Sequence, residues 1–363
     1  MEQIIYDVLK KIEDNDFKAY LVGGYVRDYL MNNETFDIDI CTNARPKELK
    51  EIFNDEFVTS FDYGNVFIKK GHYDITVTTF RKDIIYINNR KPDIIYVDSL
   101  EDDLLRRDFT CNAICMDIDG NIVDLLDGVI DINNKIIKAV GDPYKKLEED
   151  ILRIMRAIRF ATVLDFKIDD ELKLAIKKHK HLLKNLSYTR KKEELSKIFT
   201  SNNKEYGIFL LKELDLLEEL DLINIDNVLF TNDLIGIWAT ITKDDTYSFR
   251  KNEKKLIEDI NKLLELDLND NYVLYKYGTY LVSIVCDLKK INKDEILNRL
   301  SNLVVKDKNE IDIDVNDIAK CLNKEPGAYI KDIFLDLEIS ILNNKLNNSR
   351  VDIIKYIKDK YML

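Results

Sequence analysis

No apolar run in the 363 residues reaches the roughly 18 that a membrane-spanning helix needs. The opening stretch, MEQIIYDVLKKIEDN, is acidic and amphipathic and lacks the basic-then-apolar layout of a secretory signal. The five cysteines (Cys41, Cys111, Cys115, Cys286 and Cys321) are odd in number and form no CxxC pair, so a reducing cytoplasm is expected. Histidine occurs only at His72, His179 and His181, and no His-Asp pair marks an added phosphohydrolase domain. There is no internal repeat. Positive charge is in deficit, with a net charge of −12, which taken alone speaks against a nucleic-acid binder. Its distribution reads differently: between Glu171 and Lys192 there are eight Lys or Arg and one acid. Such a run is either a solvated lysine face or an electrostatic footprint for RNA, and the second reading needs a catalytic site nearby.

Glycine and proline thin out along the chain. Seven of the 11 glycines and three of the 4 prolines precede residue 144. In that front part β-like runs alternate with turns: AYLVGG, FDIDIC, NVFIKK, YDITVTTF, DIIYV, AICMDI and NIVDLL. Short helices are expected at 25–31 and 46–54. The pattern predicts an α/β domain on a mainly antiparallel or mixed sheet. After Gly141-Asp142-Pro143 apolar residues recur at three- and four-residue spacing with few breakers, which predicts helices almost throughout to residue 363. Turns are expected near 201–204, 221–233, 242–246 and 267–271. The abundance of Asn, Lys and Ile does not signal disorder, because the apolar period persists. Hydrophobic residues make up 45% of the chain, ample for two or three packed domains.

Three segments carry chemistry. In Leu21-Val22-Gly23-Gly24-Tyr25-Val26-Arg27-Asp28 an apolar strand runs into paired glycines and then a helix. Such a turn lets backbone N–H groups approach a polyphosphate, and Arg27, about one turn on, can grip a phosphate oxygen. By itself a Gly-Gly pair is also an ordinary turn. In Phe36-Asp37-Ile38-Asp39-Ile40 strand alternation sets Asp37 and Asp39 on one face, about 6–7 Å apart. Two carboxylates so placed can ligate Mg²⁺, and without a cation two like charges on a strand cost stability. The third segment is read as a helix from Glu149. Ile151, Ile154, Met155 and Ile158 share its apolar face, while Asp150, Arg153, Arg156 and Arg159 step around the other. The chain has 42 Lys and only 13 Arg, yet three Arg stand here without a Lys between them. Arg supplies a planar fork that Lys does not.

Taken together these segments resemble the nucleotidyltransferase superfamily related to DNA polymerase β. The resemblance is closer to the class II tRNA nucleotidyltransferases and bacterial poly(A) polymerases, whose opening LVGGxVRDxL…DxDIxTxAxP stands here as LVGGYVRDYL…FDIDICTNARP. It continues in order. Thr78–Asp83 with Tyr86 and Arg90-Lys91-Pro92 is similar to the family's strand and flexible loop. Glu101–Ala113 is similar to LxxDLxRRDFTxNA. Asp124–Gly128, Gly141-Asp142-Pro143 and Glu149–Phe160 follow at the expected spacing. The likeness covers about residues 20–200.

The resemblance implies a polymerase β-like head over 1–140, a helical base-recognition neck over 141–205 and a helical tRNA-binding body and tail over 206–363. It implies Mg²⁺ at Asp37 and Asp39. It places the nucleotide against Gly23, Gly24, Arg27, Arg107 and Asp108, has Asp150 and Arg153 imitate a Watson–Crick partner, and has Arg156 and Arg159 hold nucleotide or phosphate. The expected substrates are ATP, CTP and the 3′ end of a tRNA acceptor arm, with Lys177, Lys178, Lys180, Lys184 and Arg190 as candidate tRNA contacts. Complete CCA addition is the leading expectation. A-adding, CC-adding and poly(A)-adding activities share the fold, and a catalytically silent RNA-binding protein is the rival of another class. The segment FDYGNVFIKK lacks the basic-aromatic stretch associated with poly(A) polymerases. Three departures stand out. Thr76 occupies a position that is often acidic, with Asp74 a candidate substitute on the same face. Thr189 stands where SxER…EL has its acid. Asn88-Asn89 replaces Asp-Gly in the loop.

Overall fold

The computed structural model describes residues 2–53, 58–62, 65–70, 73–85, 93–242 and 246–362. His72 and the loop positions Tyr86, Asn88, Asn89, Arg90, Lys91 and Pro92 lie outside the described residues. The chain divides into two compact units, Met1–Asp221 and Leu222–Leu363.

The first unit opens with α1 (Gln3–Glu13), β1 (Ala19–Val22), α2 (Gly24–Leu30), β2 (Asp37–Thr42) and α3 (Pro46–Phe53). Then come β3 (Val58–Asp62), β4 (Asn65–Lys70), β5 (Tyr73–Thr79), β6 (Arg81–Ile85), β7 (Asp93–Tyr96) and α4 (Leu100–Leu105). The unit continues through β8 (Cys115–Met116), β9 (Ile122–Val123), α5 (Gly128–Asn133), β10 (Ile136–Ile137), α6 (Pro143–Glu149) and α7 (Leu152–Leu164). It closes with β11 (Lys167–Ile168), α8 (Asp170–His179), α9 (Tyr188–Phe199) and α10 (Lys204–Glu213). A seven-stranded sheet runs β3-β4-β5-β2-β1-β8-β9. Its one parallel pair is β2 with β5; the other neighbours are antiparallel, so the sheet is mixed.

Register delivers the site. Val22 pairs with Asp39 across β1 and β2, so the glycine turn that ends β1 is brought beside the second carboxylate. Ile38 and Ile40 point the other way and are fully buried, as strand alternation demands. Gly23 has φ +75°, and a Cβ there would stand 3.3 Å from Asp39 Oδ2. A side chain is therefore disfavoured twice, by the backbone and by the approach. Gly128 is similarly required, because a Cβ would collide with the Thr110 carbonyl oxygen. Asp124 accepts from Gly128 N at 2.9 Å and Val129 N at 2.8 Å, so the Asp124–Gly128 motif builds a turn under the Thr110–Asn112 segment.

Helices do not run unbroken beyond residue 144, for β11 pairs in parallel with β10. The helix expected from Glu149 is also two helices. Asp142 accepts from Tyr144 N at 2.9 Å with Pro143 in the first turn, a standard start for α6. That helix stops at Glu149. Asp150 is extended (φ −145°, ψ 106°), and its Oδ1 accepts from Leu152 N at 3.0 Å, opening α7. An Asp that caps the next helix competes with continuation of the previous one.

The second unit contains α11 (Leu234–Ile241), α12 (Lys251–Leu264), α13 (Asn271–Lys289), α14 (Lys293–Ser301), α15 (Val315–Leu322), α16 (Tyr329–Leu342) and α17 (Arg350–Tyr361). Leu263, Leu274, Val282 and Val285 centre one core, and Ile318, Leu337, Ile353 and Ile357 a second. Gly278 (φ 70°, ψ 175°) interrupts α13 with a conformation that essentially only glycine adopts.

Candidate active site

A cleft of about 620 Å³ opens over Gly23, Gly24, Asp37 and Asp39. Among the described residues seven arginines line it: Arg27, Arg81, Arg106, Arg107, Arg153, Arg156 and Arg159. Asp28, Asp83, Asp108 and Asp150 line it too, so every nucleotide and metal position expected from the sequence is gathered there. Guanidinium groups at this density offer the planar donor forks that a triphosphate needs, most of them set against a carboxylate.

The two strand carboxylates differ in setting. Asp37 is exposed and Asp39 half-buried. Burial pushes the Asp39 carboxyl above its usual range, Asp37 adds to this, and Arg107 opposes it. A bound cation would offset that repulsion. Among the described residues no cluster of three or more Asp, Glu, His or Cys forms a closed metal cage. Two carboxylates nevertheless suit an octahedral ion that completes its shell with water and substrate phosphate oxygens. Asp74 is not a third ligand here: it pairs with Asp37 in strand register, its side chain is 3.6 Å from Lys69 Nζ, and it does not line the cleft. Thr76 stands opposite Asp39.

Most of the arginines are held by acids. Asp103, on α4, is fully buried. It accepts from Arg106 Nε at 2.9 Å, Arg107 Nη2 at 3.1 Å and Arg81 N at 3.2 Å. Burial would raise its pKa, but Arg107 and Arg106 together hold it below the usual carboxylate range. Asn112 accepts from Arg27 Nη1 at 2.7 Å and donates to Asp108 at 3.3 Å. Asp108 in turn accepts from Arg156 Nε at 2.7 Å and from Phe109 N at 2.8 Å, and Arg156 outweighs burial to lower its pKa. Glu194, on α9, takes Arg159 Nε at 2.6 Å. Glu194, the later acid of the SxER…EL segment, thus ties α9 to α7, while Thr189 is exposed.

Two of the cleft arginines are held closely by neighbours. The Arg27 fork faces Asp28, with Nε–Oδ1 2.9 Å and Nη2–Oδ2 3.0 Å, besides its bond to Asn112. Arg153 lines the cleft and is otherwise buried. It donates to Lys146 O at 2.7 Å, to Glu149 Oε2 at 2.7 Å and to Arg106 O at 3.1 Å. Lys146 Nζ donates to the adjacent carbonyl, Leu105 O, at 2.6 Å. The end of α4, which carries Arg106 and Arg107, is thereby fastened to α6 and α7. Phe160 lies under three guanidinium groups, with Arg159 3.9 Å, Arg156 5.3 Å and Arg27 5.4 Å from its ring centre. The ring face attracts cations, so it gathers three arginines that would otherwise repel.

The basic run proves partly neutralised. Lys173 pairs with Glu213 at 3.0 Å, Lys180 with Asp215 at 3.8 Å and Lys184 with Glu219 at 3.4 Å. Lys191 is buried and donates to Glu219 O at 3.1 Å. Lys177, Lys178 and Arg190 are exposed, with Lys178 above the Tyr144 ring at 5.0 Å.

Asp103 yields a first prediction. Asp103→Asn keeps an acceptor but removes the charge that aligns two arginines. The KM for the CTP and ATP expected as substrates should rise about tenfold, with affinity for the expected tRNA retained. A group whose folded pKa is depressed contributes stability above its unfolded pKa and loses it as pH falls through the folded value. The variant's Tm should therefore fall less than that of the unaltered protein between about pH 5 and about pH 3. Unchanged KM values would deny Asp103 this role.

Comparison with known proteins agrees with the geometry. The model of the poly A polymerase head domain matches residues 19–138. The RNA- and SrmB-binding-site model of polymerase A matches 165–221, and that of tRNA nucleotidyltransferase domain 2 matches 245–357. The CCA-adding enzyme of Lactococcus lactis subsp. lactis is 35% identical over 97% of this chain and 96% of its own length. This chain belongs to the CCA-adding enzyme family. The Staphylococcus haemolyticus member of that family is 31% identical over 97% and 96%. The fold is also that of the Bacillus stearothermophilus CCA-adding enzyme solved with CTP, with TM-score 0.84 and 24% identity over 99% and 98% of the two chains. For the family member from Thermotoga maritima solved with tRNA-CCA, the TM-score is 0.72 and the identity 20%, over 99% and 96%. Among the described residues no helix is long and apolar enough to cross a membrane.

Proposed function

We propose that this protein builds the CCA end of tRNA without a nucleic-acid template, transferring CMP and AMP from CTP and ATP. The observation that carries this reading is the convergence of seven arginines and two strand carboxylates in one cleft. Relatives across nearly the whole chain are CCA-adding enzymes, which supports the same reading. In the reaction the tRNA 3′ oxygen bonds to the α-phosphorus as the bond to the pyrophosphate oxygen breaks.

Asp37 and Asp39 would hold a divalent cation, which we take to be Mg²⁺. Such an ion supplies Lewis-acid stabilisation of the charged phosphate oxygens when bound. Gly23 and Gly24 let the triphosphate approach the strand closely. Arg107, aligned by Asp103, and Arg156, aligned by Asp108, offset its charge before the reaction begins, so little reorganisation is needed at the transition state. Arg27 and Arg159, each already held by an acid, act as fixed charges in the cleft. Asp150 and Arg153 meet the base edge. Arg153 is fixed by Glu149 and two carbonyls, which sets its direction and hence its selectivity. The division into head, neck and helical body at about residues 140 and 205 remains part of this proposal.

The decisive experiment uses tRNAs truncated by one, two and three 3′ nucleotides, each with single nucleoside triphosphates. Ordered addition of C, C and A supports full CCA synthesis. Addition of A alone or of C alone would assign a partial enzyme, and no addition would favour an RNA-binding protein without catalysis.

The basic run gives a second prediction. Lys177, Lys178, Lys180 and Lys184 are proposed to meet the tRNA backbone. Their replacement by glutamine should weaken tRNA binding and flatten its log–log salt dependence by somewhat less than one for each phosphate no longer neutralised. Lys177 and Lys178 should dominate, since Lys180 and Lys184 face carboxylates. If affinity and slope stay unchanged, the run is a solvated face.

A further inference from the structure

A second recess meets the cleft at Thr35. It has a volume of about 420 Å³, and its walls include Tyr25, Tyr29, Phe36 and Tyr73, with Asn33 and Glu34 at the edge. Thr35 lines both it and the cleft, so the two are neighbours. Tyr25 and Tyr29 lie one turn apart on α2 and so share a face, while Arg27 and Asp28 of the same helix line the cleft. Phe36 directly precedes β2, and the Asp37–Asp74 register sets it beside Tyr73, with ring centres 6.0 Å apart at 48°. Tyr73 is buried and forms the floor, whereas Tyr29 and Phe36 are each 53% exposed. Both aromatics thus stand half in water beside the strand that carries the two carboxylates.

We propose that this recess binds the terminal nucleobase of the RNA being extended, with a preference for a base that carries an exocyclic amino group. The inference rests on the reading of the site as an RNA nucleotidyltransferase. Among the described residues no lysine or arginine lines the recess, and its charged residues are Glu2 and Glu34, which disfavours a phosphate as the occupant. Flat aromatic faces accept any base by stacking. A carboxylate accepts from the amino group of cytosine or adenine and finds no such donor on the carbonyl edge of uracil. The incoming triphosphate belongs among the arginines of the other compartment. A strand rises about 3.3 Å per residue, so a nucleotide whose 3′ hydroxyl stands at Asp37 has its base within reach of Phe36 and Tyr29. Both nucleotides added before the last one are cytidines, so an amino-selective recess would also check that the previous addition was correct.

The test uses the full-length protein and a tRNA lacking its last nucleotide. In Tyr29→Ala and in Phe36→Ala the KM for this tRNA should rise about tenfold while the KM for ATP stays the same, and Phe36→Tyr should restore it. A tRNA ending in 2-aminopurine should lose fluorescence on binding the unaltered protein and keep more of it with either alanine variant. Glu34→Gln should erase the preference for a terminal C over a terminal U. Alanine variants with unchanged tRNA KM and unchanged quenching would overturn the proposal. So would a parallel rise in the KM for ATP, which would mean that the recess merely supports the nucleotide compartment. If the unaltered protein extends no tRNA at all, the functional reading falls, and the 2-aminopurine signal still decides whether the recess takes a base. Circular dichroism of each variant separates misfolding from weakened stacking.

Discussion

Alanine at Asp39 is expected to lower nucleotide addition by at least about a thousandfold, equivalent to roughly 4 kcal/mol of transition-state stabilisation. Asp37→Ala should behave alike. Both carboxylates project from one face of β2, and Asp74, the candidate substitute, is turned to Lys69. The variants should separate function from folding in an informative way. Asp39 is half-buried, and its carboxyl is pushed up by burial and by Asp37. Its charged form is thus held against an opposing gradient, which a protein tolerates at a functional site. Removing it should leave Tm unchanged or higher in the absence of divalent cation, while CMP transfer disappears. tRNA affinity should persist, since the proposed lysine contacts lie elsewhere. The measurements are single-turnover extension of a truncated tRNA at saturating Mg²⁺, a filter-binding isotherm and a melting curve. Near-normal turnover in either variant would remove the proposed catalytic pair.

The catalytic strand was legible because its information is local. Alternation alone puts Asp37 and Asp39 on one face and Ile38 and Ile40 in the core, and the sheet keeps that pattern. The glycine turn was legible too, although its reason is register: Val22 pairs with Asp39, and this is what makes Gly23 a contact of the carboxylate. What stayed hidden is long-range pairing. Asp103 lies inside a recognisable motif, but nothing in its neighbours says that its carboxylate gathers Arg81, Arg106 and Arg107. Asn112 reaches Arg27 across 85 residues and Glu194 reaches Arg159 across 35, distances over which periodicity is silent. The same blindness overstated the basic run, since Glu213, Asp215 and Glu219 come from a later segment that folds back on it. A helix period also misread Glu149–Arg159, because apolar spacing survives a break at which one Asp changes role from helix member to cap.

That break sharpens the expectation for base choice. Asp150 has two duties: one oxygen accepts from Leu152 N at 3.0 Å to start α7, and the carboxylate is proposed to accept from the amino group of the incoming base. Cytosine and adenine both carry such a donor and uracil does not. Arg153, clamped by Glu149, Lys146 O and Arg106 O, is proposed to donate to the ring acceptors. In Asp150→Ala both duties are lost. Discrimination of CTP over UTP should fall about tenfold to a hundredfold, the usual consequence of about 1–3 kcal/mol for an unmatched buried polar edge. Some loss of helix stability, about 1 kcal/mol, should accompany it. Asp150→Asn tells the two duties apart. Its carbonyl oxygen preserves the cap, while its amide now offers a donor where the base requires an acceptor. If base choice is the role, the asparagine variant should keep the thermal stability and still lose the preference for CTP over UTP. Triphosphate affinity should change less in both, because Arg107 and Arg156 are anchored by Asp103 and Asp108 rather than by Asp150. The readout is kcat/KM for CTP, ATP and UTP on one truncated tRNA. A CTP/UTP ratio that survives in Asp150→Asn but falls in Asp150→Ala would make Asp150 a cap alone, and base selection would then lie with Arg153 and the groups that hold it.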